Sequence, residues 1–233
     1  ISEAAIESLK EYSSKWKKFP IEKKVEIFLK FADLIEENTN DIIEICAKES
    51  GKSIKNSIAE IREAVDFCRY YSKEALNLFQ TQTLKGPTGE VNQYRMIGKG
   101  LSFVISPWNF PVAIFVGQTV AALITGNVVI TKPAEQSSFA AYYIIKLLLK
   151  AGLPNNAIAL LLGDGALIGK KVINDKKLKN VIFTGSLDTA KIIQSNLQQK
   201  ENIPTFIAET GGLNCMIVDT SALTEHVVKD VVN

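Results

Sequence analysis

Five short apolar runs of this sequence are each followed by residues that could bind a nucleotide or take part in catalysis. These residues are Asn109, Lys132 with Glu135, Gly165, Ser186 and Glu209. An amide can stabilise an oxyanion, a carboxylate can act as a general base, and the start of a helix attracts phosphate. The residue types therefore indicate a nucleotide site with catalytic groups beside it, provided that the fold brings them together.

Two of these positions have a structural interpretation of equal standing or better. Asn109 lies in the proline-flanked turn 107–111, where an amide could bind an oxyanion or bond its own backbone, and spacing alone favours the second. Lys132 and Glu135 suit the two hydroxyls of a ribose. They equally suit a surface salt bridge worth under about 1 kcal/mol.

The glycine-containing segments leave similar alternatives open. Residues 163–169 read GxGxxxG rather than the dinucleotide fingerprint GxGxxG, so they predict a turn into a helix at least as well as a phosphate cradle. Ser186, after Gly185, could bind phosphate at a helix start or simply cap that helix, and the two roles are compatible. Glu209 could be a general base, although a solvated turn acid is slightly favoured.

The elements that must position these residues alternate along the second part of the chain. The apolar runs lie at 101–106, 127–132, 157–162, 180–184 and 204–208. Helical patterns separate them, for example Ala140–Lys150 and Thr189–Leu197. Continuous apolar strands joined by helices are typical of a buried parallel sheet. The pattern predicts a Rossmann-like, doubly wound α/β fold whose ligand lies beyond the carboxyl ends of the strands.

The first part of the chain has helical spacing and little glycine or proline. Apolar stripes predict three or four helices, with Asp41 as a cap and Gly51 as a terminator. The stripes are Val25, Phe28, Leu29, Ala32 and Ile35, and then Ile58, Ile61, Ala64, Val65 and Cys68. We therefore predict N-terminal helices over 1–85, a hairpin or edge element over 86–100, and an α/β domain over 101–233.

Composition excludes several classes of protein. With 27 basic and 25 acidic residues the net charge is +2, which provides no electrostatic footprint for nucleic acid. No apolar run is long enough for a membrane span. Three scattered cysteines and one histidine predict no metal site and a reducing, cytoplasmic location. The chain opens on Ile1 without a signal-peptide pattern, and we expect it to be a fragment.

In its motifs the sequence resembles the aldehyde dehydrogenase superfamily. The matching segments are SPWNFP at 106–111, TKPAEQS at 131–137, VIFTGS at 181–186 and AETGG at 208–212. Within that superfamily it is most similar to the L-glutamate γ-semialdehyde (1-pyrroline-5-carboxylate) dehydrogenase module of bifunctional proline-utilisation enzymes. The narrower match lies in residues 60–71, 86–90, 105–115 and 207–219.

The resemblance implies NAD as cofactor and a role for each matched residue. Asn109 would supply the oxyanion-hole amide, and Glu209 would be the general base that hydrolyses the acyl-enzyme. Lys132 and Glu135 would hold the adenosine ribose. The adenosine pocket would be lined by Ile105, Ser106, Pro107, Trp108 and Gly165. Ser186, after Gly185, would contact the pyrophosphate, and Glu63 is a candidate for the substrate wall.

The sequence departs from the family at the nucleophile. In the family this residue is a cysteine, and its expected position lies beyond Asn233, the last residue of the sequence. Cys46 and Cys68 are predicted to be buried small hydrophobes, and Cys215 to be a strand-core residue. The resemblance thus implies the N-terminal, cofactor-binding part of an NAD-dependent enzyme that oxidises glutamate semialdehyde to glutamate in proline catabolism. Without the catalytic domain we expect it to be inactive alone and to self-associate through its uncovered face.

Two other functions remain open on the sequence. The chain could be a binding module that holds NAD without chemistry, or a non-functional remnant of a split gene. A hydroxy-acid dehydrogenase with a GxGxxG motif is disfavoured, because the glycine spacing differs and the single histidine, His226, is isolated near the end.

Overall fold

The computed structural model describes residues 2–232, and its N-terminal part is helical. Four helices form there, in agreement with the predicted number: α1 (Ser2–Lys17), α2 (Ile21–Glu37), α3 (Thr39–Ser50) and α4 (Ile54–Leu78). The predicted stripes are buried except for two positions. Ile58 is half-buried, and the prediction for Leu29 is wrong because this side chain is 41% exposed. Phe31, three residues after Phe28, occupies the buried face instead.

The ends of α3 agree with the prediction at one end only. Gly51 terminates the helix with a left-handed φ of 65°, as glycine readily does. Asp41 is not the cap, because only Asn38 separates α2 from α3 and α3 already begins at Thr39. The Asp41 carboxylate instead accepts a hydrogen bond from the Tyr143 hydroxyl at 2.6 Å.

A small hairpin connects the helices to the sheet. Its strands β1 (Gln82–Leu84) and β2 (Asn92–Tyr94) pair antiparallel, with Leu84 opposite Asn92. The hairpin begins before residue 86, so it straddles the boundary predicted from the glycine and proline pattern.

Five parallel strands form the main sheet and confirm the predicted fold class. They are β3 (Leu101–Ile105), β4 (Val128–Lys132), β5 (Ile158–Leu160), β6 (Leu178–Gly185) and β7 (Thr205–Thr210), in the order β5-β4-β3-β6-β7. Ile105 lies opposite both Lys132 and Phe183, and Phe183 lies opposite Ala208. This register brings the carboxyl ends of four strands into line at one edge.

The crossover helices cover both faces of this sheet. They are α5 (Ala113–Ile124), α6 (Ser138–Ala151), α7 (Gly165–Ile173) and α8 (Leu187–Gln198), with short 3₁₀ turns at Glu135–Ser137 and Asn155–Ala157. Right-handed crossovers place α5 and α6 on one face and α7 and α8 on the other. Because α2 and α4 pack on its outer side, α5 is buried almost all round.

The segment after β7 differs from the rest. Residues 211–223 form no strand, and the last helix, α9 (Thr224–Val232), has no buried residue within the described part of the chain. The strand-core prediction for Cys215 is therefore wrong: the residue is exposed. Its neighbours have a strand-like composition, but no described segment pairs with them.

The other two cysteines follow the prediction. Cys46 and Cys68 are fully buried, and desolvation raises the pKa of each thiol to about 12. None of the helices within residues 2–232 is both long enough and apolar enough to cross a membrane.

Candidate functional site

A buried lysine and a fixed carboxylate occupy the carboxyl end of β4. Lys132 is 3% exposed, and its ammonium donates hydrogen bonds to the Pro133 carbonyl at 2.9 Å and to Glu135 Oε1 at 3.1 Å. The Glu135 side chain is half exposed. The pair is therefore anchored from below, and it presents a charged acceptor at the surface of the sheet edge.

The surroundings keep Glu135 ionised. Partial burial acts to raise the pKa of its carboxyl group. Hydrogen bonds from its own backbone N–H and from Lys132, the Lys132 charge and the Gly165 N–H outweigh burial, so the pKa is lowered. A Cβ on Gly165 would lie 3.3 Å from Glu135 Oε1. Glycine at this position lets the start of α7 approach the carboxylate closely.

A cleft of about 610 Å³ opens between α7 and α8, and Lys132, the partner of Glu135, is part of its lining. Ile105 and Lys132 line it at the strand ends. Its walls are formed by Gly165, Ala166, Gly169, Lys170, Ile173, Asn174, Thr189, Ile192, Ile193, Asn196 and Gln199. The lining combines apolar side chains with polar and charged ones, as small-molecule sites do.

The turn after β3 borders the same edge. Ser106 is buried and joins the two strand ends, since its N–H donates to the Lys132 carbonyl at 3.2 Å and its carbonyl accepts from Ala134 at 3.1 Å. The Ser106 hydroxyl, in contrast, has no hydrogen-bond partner among the described residues. Pro107 is half-buried, whereas Trp108 and Asn109 are exposed.

The start of α8 confirms the capping role of Ser186. The Ser186 hydroxyl accepts from the Thr189 N–H at 3.2 Å and donates to the Thr189 hydroxyl at 2.8 Å. At Gly185 a Cβ would lie 2.6 Å from the Phe183 ring, so the ring requires glycine there. The contact of Ser186 with a phosphate stays a prediction.

Glu209 lies on the other side of the sheet edge. It is exposed and borders a cavity of about 350 Å³ between α4, α5, β6 and β7. Within this cavity Gln118 donates a side-chain hydrogen bond to the Thr184 hydroxyl at 2.6 Å. Gln118 belongs to none of the motifs in the sequence. The structure thus gathers Ile105, Lys132, Glu135 and Gly165 in one cluster and leaves Glu209 apart from it.

Glu63 lies outside both of these spaces. It lies on the exposed side of α4 and lines a shallow groove together with Phe67, which also lines the cavity beside Glu209. Partial burial, and then the charge of Glu60, raise the pKa of the Glu63 carboxyl group.

A buried carboxylate, Glu60, was not predicted from the sequence. It is 1% exposed and contacts the start of α5, directly after the turn that carries Asn109. A signal was present in the helical pattern: Glu60 falls between Ser57 and Ala64 on the buried face of α4. A charged residue at a core position is rare unless it has partners. In the described residues no group of three or more His, Cys, Asp or Glu side chains could hold a metal ion.

Comparison with known proteins confirms the resemblance seen in the motifs. The model of the aldehyde dehydrogenase family matches residues 2–233. The bifunctional protein PutA of Salmonella typhimurium is 42% identical over 98% of this chain, and the match covers 17% of its own length. The 1-pyrroline-5-carboxylate dehydrogenase of Bacillus subtilis is 34% identical over 95% of the chain and 44% of its own length.

The fold agrees equally well with a solved structure. A crystal structure of proline utilization A from Bradyrhizobium japonicum superposes with a TM-score of 0.96 and 40% identity, covering 99% of this chain and 24% of that one. The chain thus spans less than half the length of the relatives that it matches. On the family match over residues 2–233, the chain belongs to the aldehyde dehydrogenase family.

Proposed function

We propose that these residues form the NAD-binding part of an aldehyde dehydrogenase that oxidises L-glutamate γ-semialdehyde to glutamate in proline catabolism. The observation that carries the proposal is the buried Lys132, which bonds to Glu135 at 3.1 Å and lines an open cleft. Two relatives named for proline utilisation and for 1-pyrroline-5-carboxylate dehydrogenase support the choice of substrate.

The residues at the cleft fit a dinucleotide. A ribose presents two vicinal hydroxyls, for which the Lys132 ammonium is a donor and the ionised Glu135 an acceptor. Gly165 leaves room that a Cβ would fill, and the unpartnered Ser106 hydroxyl lies buried next to the pair. Ile105, Pro107 and Trp108 would line the adenosine pocket. Gly185 and Ser186, at the start of α8, would face the pyrophosphate.

The chemistry would use the rest of the same edge. When bound, NAD supplies the acceptor for the hydride that the aldehyde loses. The Asn109 carboxamide would donate to the oxyanion of the substrate, and Glu209 would take a proton from the attacking water. Glu63 would form part of the substrate wall.

We propose that none of the three cysteines is the nucleophile. Cys46 and Cys68 are buried with raised pKa values, and a thiol must ionise before it attacks a carbonyl. Cys215 lies on an exposed segment beyond Glu209, outside both the cleft and the cavity. The 233-residue chain alone should therefore form no NADH from semialdehyde.

Calorimetric titration with NAD tests the proposed cofactor site. Wild-type chain should bind NAD, and Lys132→Ala and Glu135→Ala should each weaken binding at least about tenfold, as expected for loss of a charge-assisted hydrogen bond. Binding that is insensitive to both substitutions would overturn the ribose assignment. Semialdehyde-dependent NADH formation by the 233-residue chain would overturn the assignment of the cysteines.

Exposed apolar side chains support self-association of the chain when it is isolated. The residues concerned are Leu213, Ile217, Val231 and Val232, each at least 67% exposed. Light scattering across a dilution series should show an apparent mass that decreases as the chain is diluted. Leu213→Glu combined with Ile217→Lys should keep the chain monomeric, and association that these changes do not alter would count against this surface.

A further inference from the structure

The turn that carries Asn109 is held at its far end by a carboxylate from another helix. Glu60 Oε2 accepts hydrogen bonds from the Val112 N–H at 3.0 Å and from the Ala113 N–H at 2.9 Å. Glu60 belongs to α4, while Val112 and Ala113 begin α5 directly after the turn 107–111. The first amides of a helix lack partners within the helix, and an anion there is favoured by the helix dipole.

Helix α5 differs in this respect from its two counterparts across the sheet. Helices α7 and α8 are capped by their own residues, Asp164 and Ser186. The residue at the equivalent position of α5 is Val112, which offers no side-chain acceptor. Glu60 thus supplies from α4 what the other two helices supply locally, and it fixes the start of α5 relative to α4.

Lys52 completes the arrangement. Its ammonium lies 2.5 Å from Glu60 Oε1 and 4.4 Å from the ring centroid of Phe110, the residue after Asn109. The lysine therefore balances a carboxylate that would be costly to bury alone, and its ammonium also lies over the Phe110 ring near the end of the turn. Ser106 holds the near end through the Lys132 carbonyl, so the segment containing Asn109 is fixed on both sides.

We propose that Glu60, with Lys52 as its counter-ion, is a positioning residue that holds the backbone of the 107–111 turn, and with it the Asn109 carboxamide, at the carboxyl edge of the sheet. The functional part of this proposal rests on the proposed role of Asn109 in binding the oxyanion. Neither Glu60 nor Lys52 needs to touch the substrate. In the alternative role, Glu60 would stabilise only α4, and its removal would leave the order of Asn109 unchanged.

Backbone ¹⁵N relaxation of the 233-residue chain separates these two roles without any ligand. In the wild type the order parameter of Asn109 should be about 0.85, typical of rigid backbone, and in Glu60→Ala it should fall below about 0.6. The double variant Glu60→Gln/Lys52→Met keeps the acceptor and removes both charges, so it should keep Asn109 ordered. Unchanged order at Asn109 in folded Glu60→Ala would overturn the proposal.

A matched control and a second measurement keep the test decisive. Glu49 caps α6 through the Phe139 and Ala140 amides, so Glu49→Ala should leave the order of Asn109 unchanged. If Glu60→Ala does not fold, hydrogen exchange of the wild type decides. The Val112 and Ala113 amides should be protected well beyond that of Leu187 at the start of α8, and equal exchange would contradict the proposal.

NAD titration of the same variants distinguishes this inference from the proposed function. Glu60→Gln/Lys52→Met should bind NAD within about twofold of the wild type, because it leaves Lys132 and Glu135 intact and keeps the turn with Pro107 and Trp108 ordered. A wild-type chain that fails to bind NAD would sink the proposed function. The relaxation result for Asn109 would still decide whether Glu60 holds the turn.

Discussion

The carboxyl ends of two strands of the same sheet, β4 and β7, differ in how firmly their carboxylate residues are held. At β4 a buried lysine holds Glu135, and Gly165 packs against the pair. At β7 Glu209 is exposed, and a Cβ on the following Gly211 would contact nothing within 4 Å. A place at the carboxyl edge is therefore not enough to make a site, because the elements packed around each strand end decide its geometry.

The N-terminal helices account for the difference. Helix α4 brings Glu60 to the start of α5, and α3 brings Glu49 to the start of α6, where it accepts from the Phe139 and Ala140 amides at 2.7 and 2.8 Å. These contacts fix the turns after β3 and β4. Strand β7 is the outermost strand on its side of the sheet. Among the described residues, no carboxylate from an N-terminal helix fixes the segment that follows it.

The largest expected effect is a difference in thiol reactivity between the N-terminal helices and the segment after β7. Folded chain treated with iodoacetamide at pH 8 should be alkylated at Cys215 and not at Cys46 or Cys68. For the buried pair, a pKa raised from 9.0 to about 12 lowers the thiolate population about a thousandfold, and burial adds a steric barrier. Peptide mass spectrometry measures the rates. Similar rates at Cys46 and Cys215 would mean that the helical half opens readily.

A matched pair of carboxylate variants tests the comparison at the cofactor level. Glu135→Gln should weaken NAD binding about tenfold or more, since a ribose hydroxyl loses a charged acceptor. Glu209→Gln should leave NAD affinity unchanged, because Glu209 borders a separate cavity. Calorimetry on both variants gives the answer. Equal losses would show that the dinucleotide reaches the β7 end as well.

A matched pair of glycine variants sharpens the same point with a smaller effect. Gly165→Ala should weaken NAD binding less than Glu135→Gln does, because the added Cβ lies 3.3 Å from Glu135 Oε1 and displaces it slightly. Gly211→Ala has open space around it and should bind NAD like the wild type. A stronger effect at Gly211 than at Gly165 would reverse the assignment of the two ends.

The smallest effect expected is on stability. Glu135→Gln should lower the free energy of unfolding at pH 7 by less than about 1 kcal/mol, since the Glu135 side chain is half exposed and glutamine can still accept a hydrogen bond from the buried Lys132. Because the folded protein lowers the pKa of Glu135 below its ordinary value of 4.5, the contribution of Glu135 to stability is fully present above pH 4.5. This contribution is lost as the pH falls through the pKa of the folded state. Urea unfolding at pH 7 and below pH 4 should show the difference shrink. A difference that grows on acidification would contradict the sign of the shift.

Much of the fold could be predicted because buried parallel strands appear as apolar runs and each crossover helix has its own periodicity. The pair Lys132 and Glu135 was identifiable for a related reason, since both lie close to a strand end. Glu60 was missed as a positioning residue because its partners are backbone amides of Val112 and Ala113, which carry no sequence signature. Glu60 and the start of α5 are far apart in the sequence, and they come into contact only after α4 has packed against α5.

The errors have equally specific causes. Cys215 lies in a run with strand-like composition, but a strand needs a neighbour to pair with, and composition does not report whether one is available. Asp41 has the side chain of a cap, but the short link at Asn38 starts α3 earlier. At Leu29 the i+4 pattern was extended by one residue beyond the buried face, which Phe31 fills instead.

A crystal structure of the 233-residue chain soaked with NAD tests the central claim most directly. We expect the adenosine ribose to lie in the cleft between α7 and α8, with its hydroxyls within hydrogen-bond distance of Glu135 and Lys132. A dinucleotide bound in the cavity beside Glu209, or away from the carboxyl edge of the sheet, would contradict it.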